Sequence, residues 1–297
     1  MTLLTLPSVG SLIAQQLSQL APLAEQYLSA LTLPAQLLCG LFAFLYIGTK
    51  LWSTWSRGER IDFYPMLRPF AIGLVIVFFS TFASLLDVVV YPIELAMDSL
   101  LASVQEDFQA QQSAYLQLSE QVRDAIAVFE RTSLEHESLI ADETAASATF
   151  LQGVTTASHM SQLVLTGVSY FLQIYVQLAK LVLLLIGPFA FALSLLPGFQ
   201  QNIQQWVARY LHVALLLPFI TLVSFMVSLL FTGCVYPALI ELLTPYANAG
   251  YTYADYQQAE HAQTMVHLLL LLFHLLSAAL YLLAPVFAKW LISLKNK

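Results

Sequence analysis

The chain has 297 residues, of which 59% are hydrophobic and only 10% charged, with a formal net charge of −7 and a mean hydropathy of +0.73. A soluble domain carries roughly a quarter charged residues, so this composition excludes an ordinary water-soluble fold. The apolar residues gather into runs of about 20 or more, the helical length that crosses a hydrocarbon core about 30 Å thick.

In chain order, residues 1–30 carry no charge before Glu25 and lack the basic start of a cleavable signal peptide. Val9, Leu12, Ile13, Leu17 and Leu20 instead suggest an amphipathic helix on a membrane surface. Five spans are predicted: Leu31 to Trp52, Pro69 to Tyr91, Leu163 to Ile186 with an apolar extension to Leu196, Leu211 to Tyr236, and Met265 to Lys289. Cys39 and Cys234 lie in or beside these runs and read as small buried hydrophobes, not as a disulfide or a metal site.

Lys and Arg concentrate in cytoplasmic loops. Lys50, Arg57, Arg60, Arg68, Arg209, Lys289, Lys295 and Lys297 fall on one side of the spans, and only Arg123 and Arg131 on the other. This predicts an outside N-terminus and a cytoplasmic C-terminus. Trp52, Trp55, Trp206 and Trp290 sit at the proposed cytoplasmic boundaries, where indole rings favour the headgroup layer. The expected fold is an all-α polytopic membrane protein with five transmembrane helices. Its parts are a periplasmic N-terminal segment (1–30), spans one and two with a basic cytoplasmic loop (31–91), an acidic helical periplasmic region (92–162), and spans three to five (163–297) with a cytoplasmic interfacial helix at 199–210.

Between Pro92 and Met160 there are eleven acidic residues and two basic ones, which argues against nucleic acid as a direct ligand of that region. Leu101, Val104, Phe108, Tyr115, Leu118, Val122, Ile126 and Phe129 form a stripe at helical spacing, broken at Gln111, that must pack on something. A second stretch from Leu139 to Val154 suits a helical hairpin with the first, and subunit docking is compatible with it.

Catalytic constellations are missing. His136-Glu137 starts a zincin-like pattern, but position 140 is Ile where the second histidine belongs. Gly167-Val168-Ser169 fails as a nucleophile elbow at its last glycine. The expectation is no enzyme activity, no cofactor and no metal.

Ionisable residues inside the bilayer are the next candidates. Ser169, Gln173, Gln177 and Lys180 lie close to one face of span three, suiting either a pore or subunit-packing face or hydrogen bonding within the protomer. Asp87, near the outer end of span two, reads as structural and within reach of the interface. His267 and His274 share a face of span five, with no further partner visible for proton relay.

Two segments carry a family likeness. The first is Ile61-Asp62-Phe63-Tyr64-Pro65-Met66-Leu67-Arg68-Pro69-Phe70-Ala71-Ile72-Gly73-Leu74, in which Pro69 suits a first helical turn and Arg68 a headgroup anchor. The second runs from Leu185 to Tyr210 and contains Gly187-Pro188, expected to kink span three, Pro197-Gly198, expected to end it, and Gln205-Trp206-Val207-Ala208-Arg209-Tyr210.

Together these resemble the TraJ family of Bacteroides conjugative transposons, within the polytopic inner-membrane (TrbL-like) channel subunits of type IV secretion systems. The resemblance implies a role in mating-pair formation in the bacterial inner membrane, as a homo-oligomer forming part of a passage for DNA or protein. The partners it implies are other inner-membrane and periplasmic secretion subunits, cytoplasmic secretion ATPases indirectly, transient single-stranded DNA and the lipid bilayer. The competing reading is a small-solute transporter or channel unrelated to conjugation, which calls for paired broken helices. The sequence offers one, at Gly187-Pro188.

Overall fold

A computed structural model describes residues 20–58, 63–134, 140–247 and 252–292. The candidate surface helix around Val9 to Leu17, Asp62, the His136-Glu137 pair, Lys295 and Lys297 lie outside the described residues. The described residues contain helices and turns and no strand. Among the described residues four helices are long and apolar enough to cross a membrane, or five if one bent pair counts as a span.

Helix α1 (Leu20–Ser56) passes through residue 30 without interruption, so the stretch before span one continues into it. A short turn at Tyr64–Met66 leads into α2 (Leu67–Val77), which Pro69 enters in its first turn, as expected of a residue with no N–H to satisfy there. Span two is not the single helix the sequence suggests. It breaks at Phe78 (φ −102°, ψ 33°), and α2 is bent by 80° against α3 (Phe79–Leu134). Val75, Ile76, Val77, Phe78 and Phe79 are β-branched or aromatic and therefore modest helix formers. Both backbone groups of Phe78 are bonded: its N–H donates to the Leu74 carbonyl at 3.1 Å, and its carbonyl accepts from Phe82 at 2.9 Å. A bilayer demands this of any irregular turn.

Helix α3 has 56 residues and continues past Tyr91 through Pro92 and the acidic region, and α4 (Ile140–Leu193) has 54. Both far exceed the roughly 20 residues of a crossing. Helix α4 runs through Gly187-Pro188 without a break and ends at Leu193, so the broken helix expected there is not found. The turn that follows takes Gly198 to φ +94°, a conformation that glycine tolerates and L side chains avoid. Helix α5 (Asn202–Leu230) runs on through a π turn (Phe231–Val235) into α6 (Tyr236–Leu243), and α7 (Tyr253–Ile292) closes the chain. No separate interfacial helix exists at 199–210, since those residues form a turn and then the start of α5.

The chain divides into two compact units. Unit 1 takes its described residues from Met1–Glu94, Gln173–Leu217 and Phe287–Lys297. Its core joins Leu28, Ala35 and Cys39 of α1 and Ile76 of α2 to Phe79 and Ala83 of α3, together with Phe191, Trp206 and Tyr210. Unit 2 spans Leu95–Leu172 and Pro218–Val286. There the predicted stripe is the packed face: Tyr115, Val122 and Ile126 are buried, whereas Glu106, Asp107, Glu120 and Asp124 are exposed. The stripe packs beyond its own hairpin. Phe108 meets Tyr236 at 5.7 Å between ring centroids, Tyr115 stacks on Tyr236 at 5.8 Å, and Phe129 stacks on Tyr256 at 4.8 Å. Such pairs contribute about 0.5–1.5 kcal/mol each beyond area burial.

Candidate functional site

Unit 1 brings the two family-marking segments together. Lys180 of α4 places Nζ 2.9 Å from Asp87 Oδ1 of α3, and the Tyr210 hydroxyl of α5 donates to the same oxygen at 3.0 Å. The ammonium also lies 6.0 Å from the Tyr210 ring centroid, at the outer limit of a cation–π contact. Both charges are partly open, at 30% for Lys180 and 40% for Asp87. An isolated charge in hydrocarbon costs about 2.5–3.5 kcal/mol on insertion scales. Pairing the two therefore offsets a penalty that each would carry alone.

Next to the pair lies an aromatic cluster centred on Trp206. Its ring is 5.2 Å from Phe79, 5.5 Å from Phe191 and 5.2 Å from Tyr210, on which it stacks. Its indole N–H donates to the Leu183 carbonyl at 2.9 Å. One residue further on, the Leu184 carbonyl loses its helical donor to Pro188. Trp206 is thus buried, unlike the exposed Trp52 and Trp55. Gly187 allows the cluster to close, because a Cβ built there would overlap the Phe79 ring. Arg68 reaches the Ser194 carbonyl at 3.5 Å, one residue past the end of α4, where carbonyls lack helical donors.

The other sequence candidates are placed as follows. Pro69 and Pro188 are buried, Pro197, Gly198 and Arg209 are exposed, and only the backbone of Pro65 is described. Gln173 and Gln177 are half-buried on the same side of α4 as Lys180, while Tyr175 and Val182 are exposed. Gln173, Gln177 and Lys180 are therefore partly covered, away from the exposed Tyr175 and Val182. Ser169 falls in unit 2, where its hydroxyl donates to the Thr166 carbonyl at 2.8 Å. The sequence assigned Asp87 a structural role but not its partners, Lys180 and Tyr210. The available signal was one carboxylate and one ammonium, each isolated in a different apolar span.

Residues 5–146 match the family model of homologues of TraJ from Bacteroides conjugative transposon. Over this stretch the chain is similar to the TraJ family. No curated protein and no solved structure matches the chain. The TraJ match contains the first segment and Asp87 but ends before Lys180 and the second segment. The contacts of Arg68, Phe79 and Asp87 fasten this TraJ region to residues beyond it, at Ser194, at Gly187 and Trp206, and at Lys180 and Tyr210.

Proposed function

We propose that this chain is an inner-membrane subunit of a conjugative type IV secretion (mating-pair formation) apparatus, present in several copies that form part of the passage for DNA or protein substrate. The observation that carries this reading is the TraJ match over residues 5–146 on a chain whose described residues include four or five helices long and apolar enough to cross a membrane. Membership in the TrbL-like group of channel subunits is part of the proposal. So is the orientation, N-terminus periplasmic and C-terminus cytoplasmic, which the distribution of Lys and Arg supports. In this reading the Asp87–Lys180–Tyr210 network is a clamp within the protomer, because its charges are spent on each other and not turned toward a passage. The exposed carboxylates Glu106, Asp107, Glu120 and Asp124 present a docking face to other secretion subunits. Cytoplasmic ATPases supply energy from elsewhere in the assembly.

The transporter reading draws support from the 80° break at Phe78, since broken helices line solute sites in transporters. The family match weighs against it.

A photo-crosslinking residue introduced at Asp107 or Asp124 tests the proposal in cells carrying the complete transfer apparatus. Adducts with other transfer proteins, lost when those genes are deleted, are expected. An adduct pattern identical in cells without the apparatus would contradict the proposal.

A further inference from the structure

Unit 2 holds five buried polar atoms without a protein partner among the described residues: Gln111 Oε1, Thr232 Oγ1, Gln263 Oε1, His267 Nδ1 and Ser277 Oγ. Three of them belong to α7. At 100° per residue, Gln263, His267, His274, Ser277 and Tyr281 fall within an arc of about 80° and extend over about 27 Å at 1.5 Å per residue. All five are buried, Gln263 and Ser277 almost completely. The remaining polar atoms of the row find scattered partners. Gln263 Nε2 donates to Ser119 Oγ at 3.0 Å, His274 Nδ1 lies 3.0 Å from Ser161 Oγ, and the Tyr281 hydroxyl donates to Ser224 Oγ at 2.8 Å. His274 also stacks on Phe231, the first residue of the π turn, at 5.4 Å. Such turns recur at functional sites.

The row meets a cavity at Gln263. A cavity of about 370 Å³ is lined by Arg123, Glu130, Gln152, Thr155 and Thr156 as well as by Gln263. Arg123, Gln152 and Thr156 are exposed at its mouth. Buried polar atoms without protein partners are in general satisfied by internal water, which needs a polar site with room for it.

We propose that unit 2 contains an aqueous half-channel for water and protons, opening at the cavity beside Gln263 and continuing along α7 past His267 and His274 to Ser277 and Tyr281. Imidazoles interleaved with hydroxyls pass a proton by donating from one ring nitrogen while accepting at the other. Charged and titratable groups that act on the path and its mouth include Arg123 and Glu130 of α3, His159 of α4, and Tyr256 and Glu260 of α7. The half-channel requires nothing of the conjugative reading, and its test uses the purified full chain.

The test is residue-resolved exchange of the imidazole C2 hydrogen in heavy water, read by mass spectrometry on the chain in lipid nanodiscs. His267 and His274 are expected to exchange despite their burial. Gln263→Leu is expected to slow both several-fold while leaving the exposed His261 unchanged. Thr156→Trp, which obstructs the mouth from an exposed position, is expected to do the same and decides the matter if Gln263→Leu fails to fold. Absence of exchange at both histidines after His261 has exchanged fully would overturn the proposal. Exchange that neither variant slows would overturn the route.

Discussion

Asp87 and Lys180 are each unfavourable in an apolar layer and tolerable together, which makes their coupling measurable. Lys180→Leu leaves the carboxylate with Tyr210 alone and is expected to lower unfolding stability by about 1–2 kcal/mol, less than for a fully buried pair because both groups are partly open. Asp87→Leu with Lys180→Leu is expected to recover most of that loss, giving a favourable coupling term in a double-mutant cycle followed by denaturant unfolding. A coupling of zero would mean that the pair contributes nothing. Gly187→Ala pushes a methyl into the Phe79 ring and is expected to cost about 1–3 kcal/mol, relieved by the smaller Phe79→Leu. The same unfolding measurement checks it, and additive losses would contradict the packing argument. The sequence marked Lys180 as an ionisable residue inside a span, and Gly187, Trp206 and Tyr210 through the family likeness. Their partners were illegible, since Tyr210 meets a carboxylate 123 positions away and nothing local fixes that register.

At the scale of elements, hydropathy located the apolar helices because burial in lipid selects composition directly. Helix ends were harder. A transmembrane helix need not stop at the membrane surface, and α3 and α4 continue where the sequence only turns polar. The break at Phe78 carries no proline or glycine to announce it, and the proline that looked like a break, Pro188, is absorbed within α4. The apolar stripe of the acidic region was legible as a packed face, but not its partners Tyr236 and Tyr256, which come from later helices. Desolvation by burial raises the Glu130 carboxyl above its ordinary range, with the Tyr256 hydroxyl opposing and Glu260 adding to the effect. A carboxyl raised on folding contributes stability in full below its unfolded value and loses it as pH rises through the folded value. Glu130→Gln is therefore expected to melt higher than wild type at neutral pH, with the difference shrinking toward pH 4. A difference that grows on acidification would contradict this.

For the whole molecule the open quantity is orientation, which rests on the loop charges and predicts its own check. Reporter fusions at residues 55 and 203 are expected to be active as cytoplasmic reporters and one at residue 130 as a periplasmic reporter. A cytoplasmic signal at 130 would reverse the topology and put the acidic face on the wrong side for periplasmic partners. The TraJ match reaches only residue 146, yet the side chains it contributes close on the second half of unit 1. The two halves of the sequence are thus expected to act as one device.

Conjugation frequency in a strain lacking this gene, complemented with wild type, with Lys180→Asp, or with Asp87→Lys combined with Lys180→Asp at matched membrane abundance, tests the central claim most directly. The account predicts loss of transfer in the deletion, rescue by wild type, failure of Lys180→Asp, and at least partial rescue when the charges are exchanged. Undiminished transfer in the deletion would contradict it.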